Sequence, residues 1–418
     1  MAQKTDTPQI LPKNLTDLLP KLEPAPGTPQ VPGLPQMPDI PQVPGVPQVT
    51  IPNPNYAPPL GQEPTQEVSR RIERAKTDIG AFVGLSAQRP IGRAMLVRSA
   101  TEFHRHYGVA GQQSELHWAV THFFNNGGRE AWIAAVPQLT DLTESALRAL
   151  DSAAHFNLLC IPDAAALNPE AATALYVAAG DYVTGRRAML ITDIPPDVDT
   201  TVRMKAWISA NAPIRRANSV VHFPRVISSG NSLGSSGAIA GMLARSDREQ
   251  GVWKSAAGAN GRLLGIGGLT HAVSQMDNDA LSRSGVNCLI RTQMGGYTVW
   301  GNRTLMGADW LNSDWKYIPV RRTALMIEES IRNGTEWAVS DPGDNVCAQV
   351  EQSISDFLFE LFRDGAFPGR RPEDCYTVRC DASATGDGGT RRLDMVIMIA
   401  LLRSGEFLPL RISQPARP

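Results

Sequence analysis

Apolar and polar positions along the chain separate into short continuous apolar runs and longer runs at helical spacing, alternating from about Thr77 onward. AFVGLSA (81–87), AMLVR (94–98), AWIAAV (131–136), FNLLCIPD (156–163), RAMLITD (187–193) and SVVHF (219–223) read as strands. Between them, Leu116, Val120, Phe123 and Phe124 recur at helical spacing behind a capping Ser114 and stop at Gly127-Gly128. Further helices are expected near 141–150, over 168–183 and near 198–210. Continuous apolar strands alternating with helices predict a largely parallel sheet covered on both faces. The first half is therefore α/β.

After residue 250 the pattern becomes mixed. VNCLI (286–290) and YTVW (297–300) are strands paired across Met294-Gly295-Gly296. WKYI leads into a helix with an apolar face of Ala324, Leu325, Ile327 and Ile331, and Glu328 stands four residues before Arg332, a favourable order for a helical ion pair. Another helix spans about 346–364. The apolar runs Leu393 to Leu402 and Phe407 to Ile412, separated by Ser404-Gly405-Glu406, predict a terminal hairpin.

The first 64 residues follow another rule. Of 32 prolines, 17 precede residue 65. From Pro29 to Pro47 proline recurs at every third position, preceded at the last six by Val31, Leu34, Met37, Ile40, Val43 and Val46. A polyproline II helix has three residues per turn, so proline, apolar and small or polar residues form three separate edges along about 60 Å. The arm is either a stiff spacer or an apolar edge that docks on a neighbouring molecule.

The whole chain is 418 residues, with 40 basic against 41 acidic residues and a net charge of −1. That balance excludes a basic nucleic-acid binder. Only 19% of residues are charged, below the ~25% usual in soluble domains, and such a surface is weakly protected against self-association. The start, MAQKTDTPQI, shows no secretory signal. The longest purely apolar run, Met395 to Leu402, falls far short of the ~20 residues of a membrane helix. Cys160, Cys288, Cys347, Cys375 and Cys380 are expected to be reduced thiols.

Candidate chemistry is sparse. Asp163 and Asp193 stand at strand ends, where α/β enzymes carry active sites; an aspartate beside proline at a strand end is also ordinary turn chemistry. There is no Walker-type phosphate loop, and Gly234-Ser235-Ser236-Gly237 reads as a helix start rather than a nucleophile elbow. His117 and His122 are five apart and share no helix face, and Cys375 with Cys380 lacks a second ligand pair. No metal, cofactor or catalytic constellation is expected.

Distinctive words fill the second half: Gly251-Val252-Trp253-Lys254, Trp300-Gly301-Asn302-Arg303-Thr304-Leu305, Asp314-Trp315-Lys316-Tyr317, Val320-Arg321-Arg322, Ile327-Glu328-Glu329-Ser330-Ile331, Glu336-Trp337 and the closing Glu406-Phe407 run. In this order, over roughly 250–413, they resemble the contractile tail sheath proteins of phages and related injection machines. The resemblance implies a multi-domain, mixed α+β sheath subunit: a proline-rich arm (1–64), a first sheath domain (65–250), a C-terminal sheath domain (251–392) and a C-terminal strand arm (393–418). It implies a non-enzymatic subunit that polymerises helically around an inner tube and contracts from a metastable extended state, the alternative being an enzyme at Asp163 and Asp193.

Expected partners are copies of itself, the inner tube, and baseplate and terminator or cap proteins, without nucleic acid or membrane insertion. Assembly is expected in a bacterial cytoplasm, as part of a phage tail or tail-like particle. Strand exchange between subunits falls to Met395, Ile397, Ile399, Leu401, Phe407, Leu410 and Ile412, and tube contact to Arg321 and Arg322 or to the helix at 346–364. Two departures stand out. The family's amino-terminal P-G-V-Y-V-E-E strand is replaced by PGVPQVTIPNP (44–54), and AVSDPGD follows Trp337 in place of an aromatic-Glu-Pro-Asn turn.

Overall fold

The structure, a computed structural model, describes residues 70–86, 92–108, 114–340, 345–385 and 390–415. The chain divides into two units, 1–65 and 66–418. The proline repeat and its apolar edge, Val31 to Val46, lie outside the described residues.

Strands β1 (Ile79–Leu85), β2 (Met95–Val97), β3 (Glu130–Val136), β4 (Leu158–Cys160), β5 (Met189–Thr192) and β6 (Ser219–Phe223) form where continuous apolar runs predict them. β7 (Val226–Ser228), β8 (Asn231–Leu233), β9 (Arg262–Leu263) and β10 (Gly268–Leu269) are short, and β11 (Asn287–Arg291) and β12 (Tyr297–Trp300) make the expected hairpin. One sheet takes nine of these strands, in the order β2-β3-β1-β4-β5-β6-β11-β12-β9. From β3 to β11 neighbours run parallel; β2, β12 and β9 add antiparallel edges. β6 pairs with β11, so residues on either side of position 250 share one sheet. β11 covers the edge of the parallel core beyond β6, although β7 to β10 and two helices lie between them in the chain.

Helices α1 (Ala100–Tyr107), α2 (Glu115–Asn125), α3 (Glu144–Leu147), α4 (Pro169–Gly185), α5 (Thr201–Ala210), α6 (Ser236–Gln250) and α7 (Gln275–Ser282) flank this sheet. Ser114 caps α2 by accepting from Leu116 N at 3.2 Å, and Asn168 caps α4 by accepting from Ala171 N at 2.8 Å, with Pro169 next in line. The continuous helix expected near 141–150 is instead α3 between two 3-10 turns; no side chain caps its start. Two apolar cores result, one on each sheet face: Ala81, Val83, Leu159 and Leu190 point to one, Phe82, Leu158, Cys160 and Ile191 to the other.

A third core belongs to α8 (Ile318–Gly334), α9 (Glu336–Ser340), α10 (Val346–Arg363) and the antiparallel sheet of β13 (Tyr376–Thr385), β14 (Thr390–Ile399) and β15 (Leu408–Pro415). The hairpin predicted over 393–412 is β14 and β15, in the register Met395 to Ile412 and Ile397 to Leu410. β13 went unpredicted, although Val378 and Cys380 turn inward while Thr377 and Arg379 are exposed, a period of two that marks a strand.

Candidate functional site

The strand ends hold a charged knot. Asp163, 3% exposed, accepts from Leu85 N at 2.8 Å and from Glu115 N, the first amide of α2, at 2.8 Å. Asp193, 2% exposed, accepts from Ser236 N at the start of α6 at 2.9 Å. Both carboxylates therefore sit at helix N-termini, where free amides and the helix dipole favour negative charge. Glu115 continues the knot, accepting from Gly234 N at 2.8 Å and pairing with the buried Arg225, whose other donors reach Ile194 O at 2.7 Å and Ser232 O at 3.1 Å.

No substrate fits there. A Cβ on Gly84 would lie 2.5 Å from Asp163 Oδ2, and one on Gly234 2.5 Å from Asp193 Cγ, so backbone closes directly on each carboxylate. Burial, foremost, pushes both carboxyls up to about 6, against the amide bonds that favour the charged form. The expectation that Asp163 and Asp193 could serve an active site is corrected: they fasten α2 and α6 to the sheet. The histidines are likewise occupied, His117 Nε2 with Tyr107 O at 2.8 Å and His122 Nε2 with Ser228 Oγ at 3.3 Å. Among the described residues no group of three metal-ligating side chains converges.

Arg321 and Arg322 also take a different place from the one expected. α8 is buried nearly all round, so its first-turn arginines point into protein. Arg321 donates to Asn218 Oδ1 at 2.7 Å, lies 4.6 Å from the Trp315 ring centre and faces Glu328 at 3.4 Å. Arg322 is spent on Asp247 and on Thr77 O. Neither is free to meet an outside partner. Glu328 thus serves Arg321 instead of Arg332, which is exposed.

The terminal-strand residues sit in their own chain's sheet. Met395, Ile397, Ile399, Leu410 and Ile412 are buried, while Leu401 and Phe407 are half-buried. β14 is paired on both sides, with β13 and with β15, so residues 393–399 are the middle of a folded sheet. Among the described residues β15 is paired only along one edge.

Sequence reasoning missed the segment 70–78, which lies extended against the third core. Ile72, 2% exposed, is its anchor, and Ala75 N donates to Ser330 Oγ at 2.9 Å. Arg71 reaches Glu360 at 2.9 Å and Arg74 reaches Asp364 at 2.6 Å, and the guanidiniums of Arg70 and Arg74 lie over the Trp337 and Trp253 rings. The lone isoleucine within EVSRRIERAK was the available signal. Beside this strap an open groove of about 900 Å³ runs along α10, whose outer face presents Gln352, Asp356, Phe359 and Arg363; Phe359 is 44% exposed and stacks on Phe362.

Residues 137–305 match the model of the phage tail sheath protein central domain. A putative prophage major tail sheath protein of Pseudomonas aeruginosa is 32% identical over 133 residues, 30% of this chain and 33% of that protein, so the match spans about a third of the relative's length. Among solved structures, a chain of the anti-feeding prophage baseplate superposes with a TM-score of 0.66 at 23% identity, covering 86% of this chain and 99% of its own. The sheath complex of an extracellular contractile injection system in its contracted state follows at 0.65 and 21%, covering 86% and 98%. Those two likenesses establish the fold.

Proposed function

We propose that this chain is a contractile tail sheath protein, the subunit of a helical sheath that surrounds an inner tube and contracts from a metastable extended state. The observation that carries this reading is the match of residues 137–305 to the tail sheath central domain, in a body whose fold follows a chain of a contracted injection-system sheath complex over 86% of its length. A head-to-tail contact repeated with a rotation that does not close builds a tube. A charge balance of 40 against 41 suits a subunit that must pack against copies of itself without strong repulsion.

Contraction is a rearrangement of rigid bodies, and the body described above suits it: the carboxylate knot and three cores leave little that can deform. Subunits stay joined through their ends. The unpaired edge of β15 is the surface on which a neighbour's strand adds, with backbone hydrogen bonds as the link and alternate side chains setting register. The proline-rich arm, with Val31, Leu34, Met37, Ile40, Val43 and Val46 along one edge, docks on a neighbouring subunit.

With Arg321 and Arg322 turned inward, tube contact passes to the outer face of α10 and its exposed Phe359. Baseplate and terminator or cap proteins bound the polymer, and the particle is a phage tail or a tail-like injection device assembled in a bacterial cytoplasm. Overexpression of the full chain followed by negative-stain microscopy tests the reading. Striated tubes are the expected result, and discrete small oligomers at every concentration would overturn it.

A further inference from the structure

Of the five cysteines, two meet. Cys347, in the first turn of α10, and Cys380, midway along β13, are 33 residues apart in sequence, yet their sulfurs are 3.4 Å apart. A disulfide needs about 2.05 Å between sulfurs, a closure of little more than an ångström. The surroundings hold the two in register: Glu351, one turn after Cys347, accepts from Cys380 N at 2.7 Å, so helix and strand are already pinned at this level. Cys347 is half-buried, while Cys380 and the other three cysteines are buried.

We propose that Cys347 and Cys380 form a redox site, which a small-molecule disulfide such as oxidised glutathione converts into an intrachain disulfide stapling α10 to β13. Exposure sets the order of events. The Cys347 thiolate attacks one sulfur of the glutathione disulfide, expelling a glutathione thiolate and leaving a mixed disulfide on Cys347. Cys380, having lost its proton, then attacks the Cys347 sulfur and expels the second glutathione. The two protein thiol protons end on the two glutathiones, and two electrons pass from protein to reagent. Burial, followed by the neighbouring Cys347 and Glu351, raises the Cys380 thiol, which makes it slow toward an outside reagent; its 3.4 Å approach to the Cys347 sulfur is what suits it to the resolving step. In a reducing cytoplasm the pair stays open; in an oxidising medium it closes.

The test treats purified full-length protein with oxidised glutathione, then measures intact mass, alkylatable thiols and the thermal midpoint. Expected are loss of two hydrogens, a Cys347–Cys380 cross-linked peptide, and a raised midpoint that dithiothreitol reverses. Cys380→Ser should arrest with one glutathione on Cys347, and Cys347→Ser should show neither adduct nor disulfide. A lasting glutathione adduct in the wild type, a disulfide between other cysteines, or an unchanged mass would each overturn the proposal.

Discussion

Arg322 grips Asp247 with both terminal nitrogens, at 2.8 and 2.6 Å, and each side chain is only 5% exposed. The pair joins the last turn of α6 to the first turn of α8, and the same guanidinium donates to Thr77 O at 2.9 Å. One residue therefore ties the main sheet's covering helix, the third core and the amino-terminal strap together. Its energy lies in mutual compensation, since either charge alone in that interior is costly.

Arg322→Met should therefore lower stability by about 3–5 kcal/mol by stranding the Asp247 carboxylate, whereas Arg322→Met with Asp247→Leu should recover most of that loss. Urea unfolding of both variants checks this. Equal loss in the single and double variants would show that packing, rather than uncompensated charge, dominates.

The carboxylate knot makes a signed pH prediction. Asp163 and Asp193 move from 3.8 to about 6 on folding. Between those values the folded state binds protons that the unfolded state does not, so their contribution to stability is complete below about 4 and lost as pH rises through 6. His122 and His222, lowered by burial to about 4 and 3, act oppositely as pH falls below 6.5, which flattens the wild-type profile. The difference between Asp193→Asn and wild type isolates one group: the variant should be more stable at pH 7.5, by up to ~3 kcal/mol, with the advantage vanishing toward pH 4. A constant offset across that range would contradict the assignment.

Phe359→Ser should lower stability by no more than ~1–2 kcal/mol, because the side chain is already 44% exposed and loses chiefly its stacking on Phe362. If α10 faces the tube, the same variant should cosediment with tube protein several-fold less than wild type. Undiminished cosedimentation would move the tube contact elsewhere.

Val43→Asp with Val46→Asp puts two charges on the apolar edge of the proline repeat and changes no residue of the body. Docking of that edge predicts fewer and shorter tubes by microscopy with an unchanged unfolding midpoint. Unchanged tubes would identify the repeat as a spacer.

Much of this fold was legible in the chain. SVVHF is β6 residue for residue, Ser114 starts the helix it announces, and the Met294-Gly295-Gly296 turn joins β11 to β12. These are local matters: period, cap and turn chemistry depend on neighbours in sequence. The roles of polar residues were not legible. Arg321 and Arg322 were expected at the tube contact because of the resemblance, and nothing in their neighbours in sequence shows which groups they pair with. Only the packing of α8 against α6, Asn218 and Trp315 turned both inward.

Sequence alone thus determined the α/β alternation, the mixed second half and the separation of a proline-rich arm, since each rests on periodicity and composition. Tertiary structure alone decided that β6 continues into β11, that Asp163 and Asp193 cap helices, and that Cys347 meets Cys380. Those facts join residues tens of positions apart. Whether a charge is spent or free depends on which distant group the fold brings within 3 Å, and no local pattern encodes that distance.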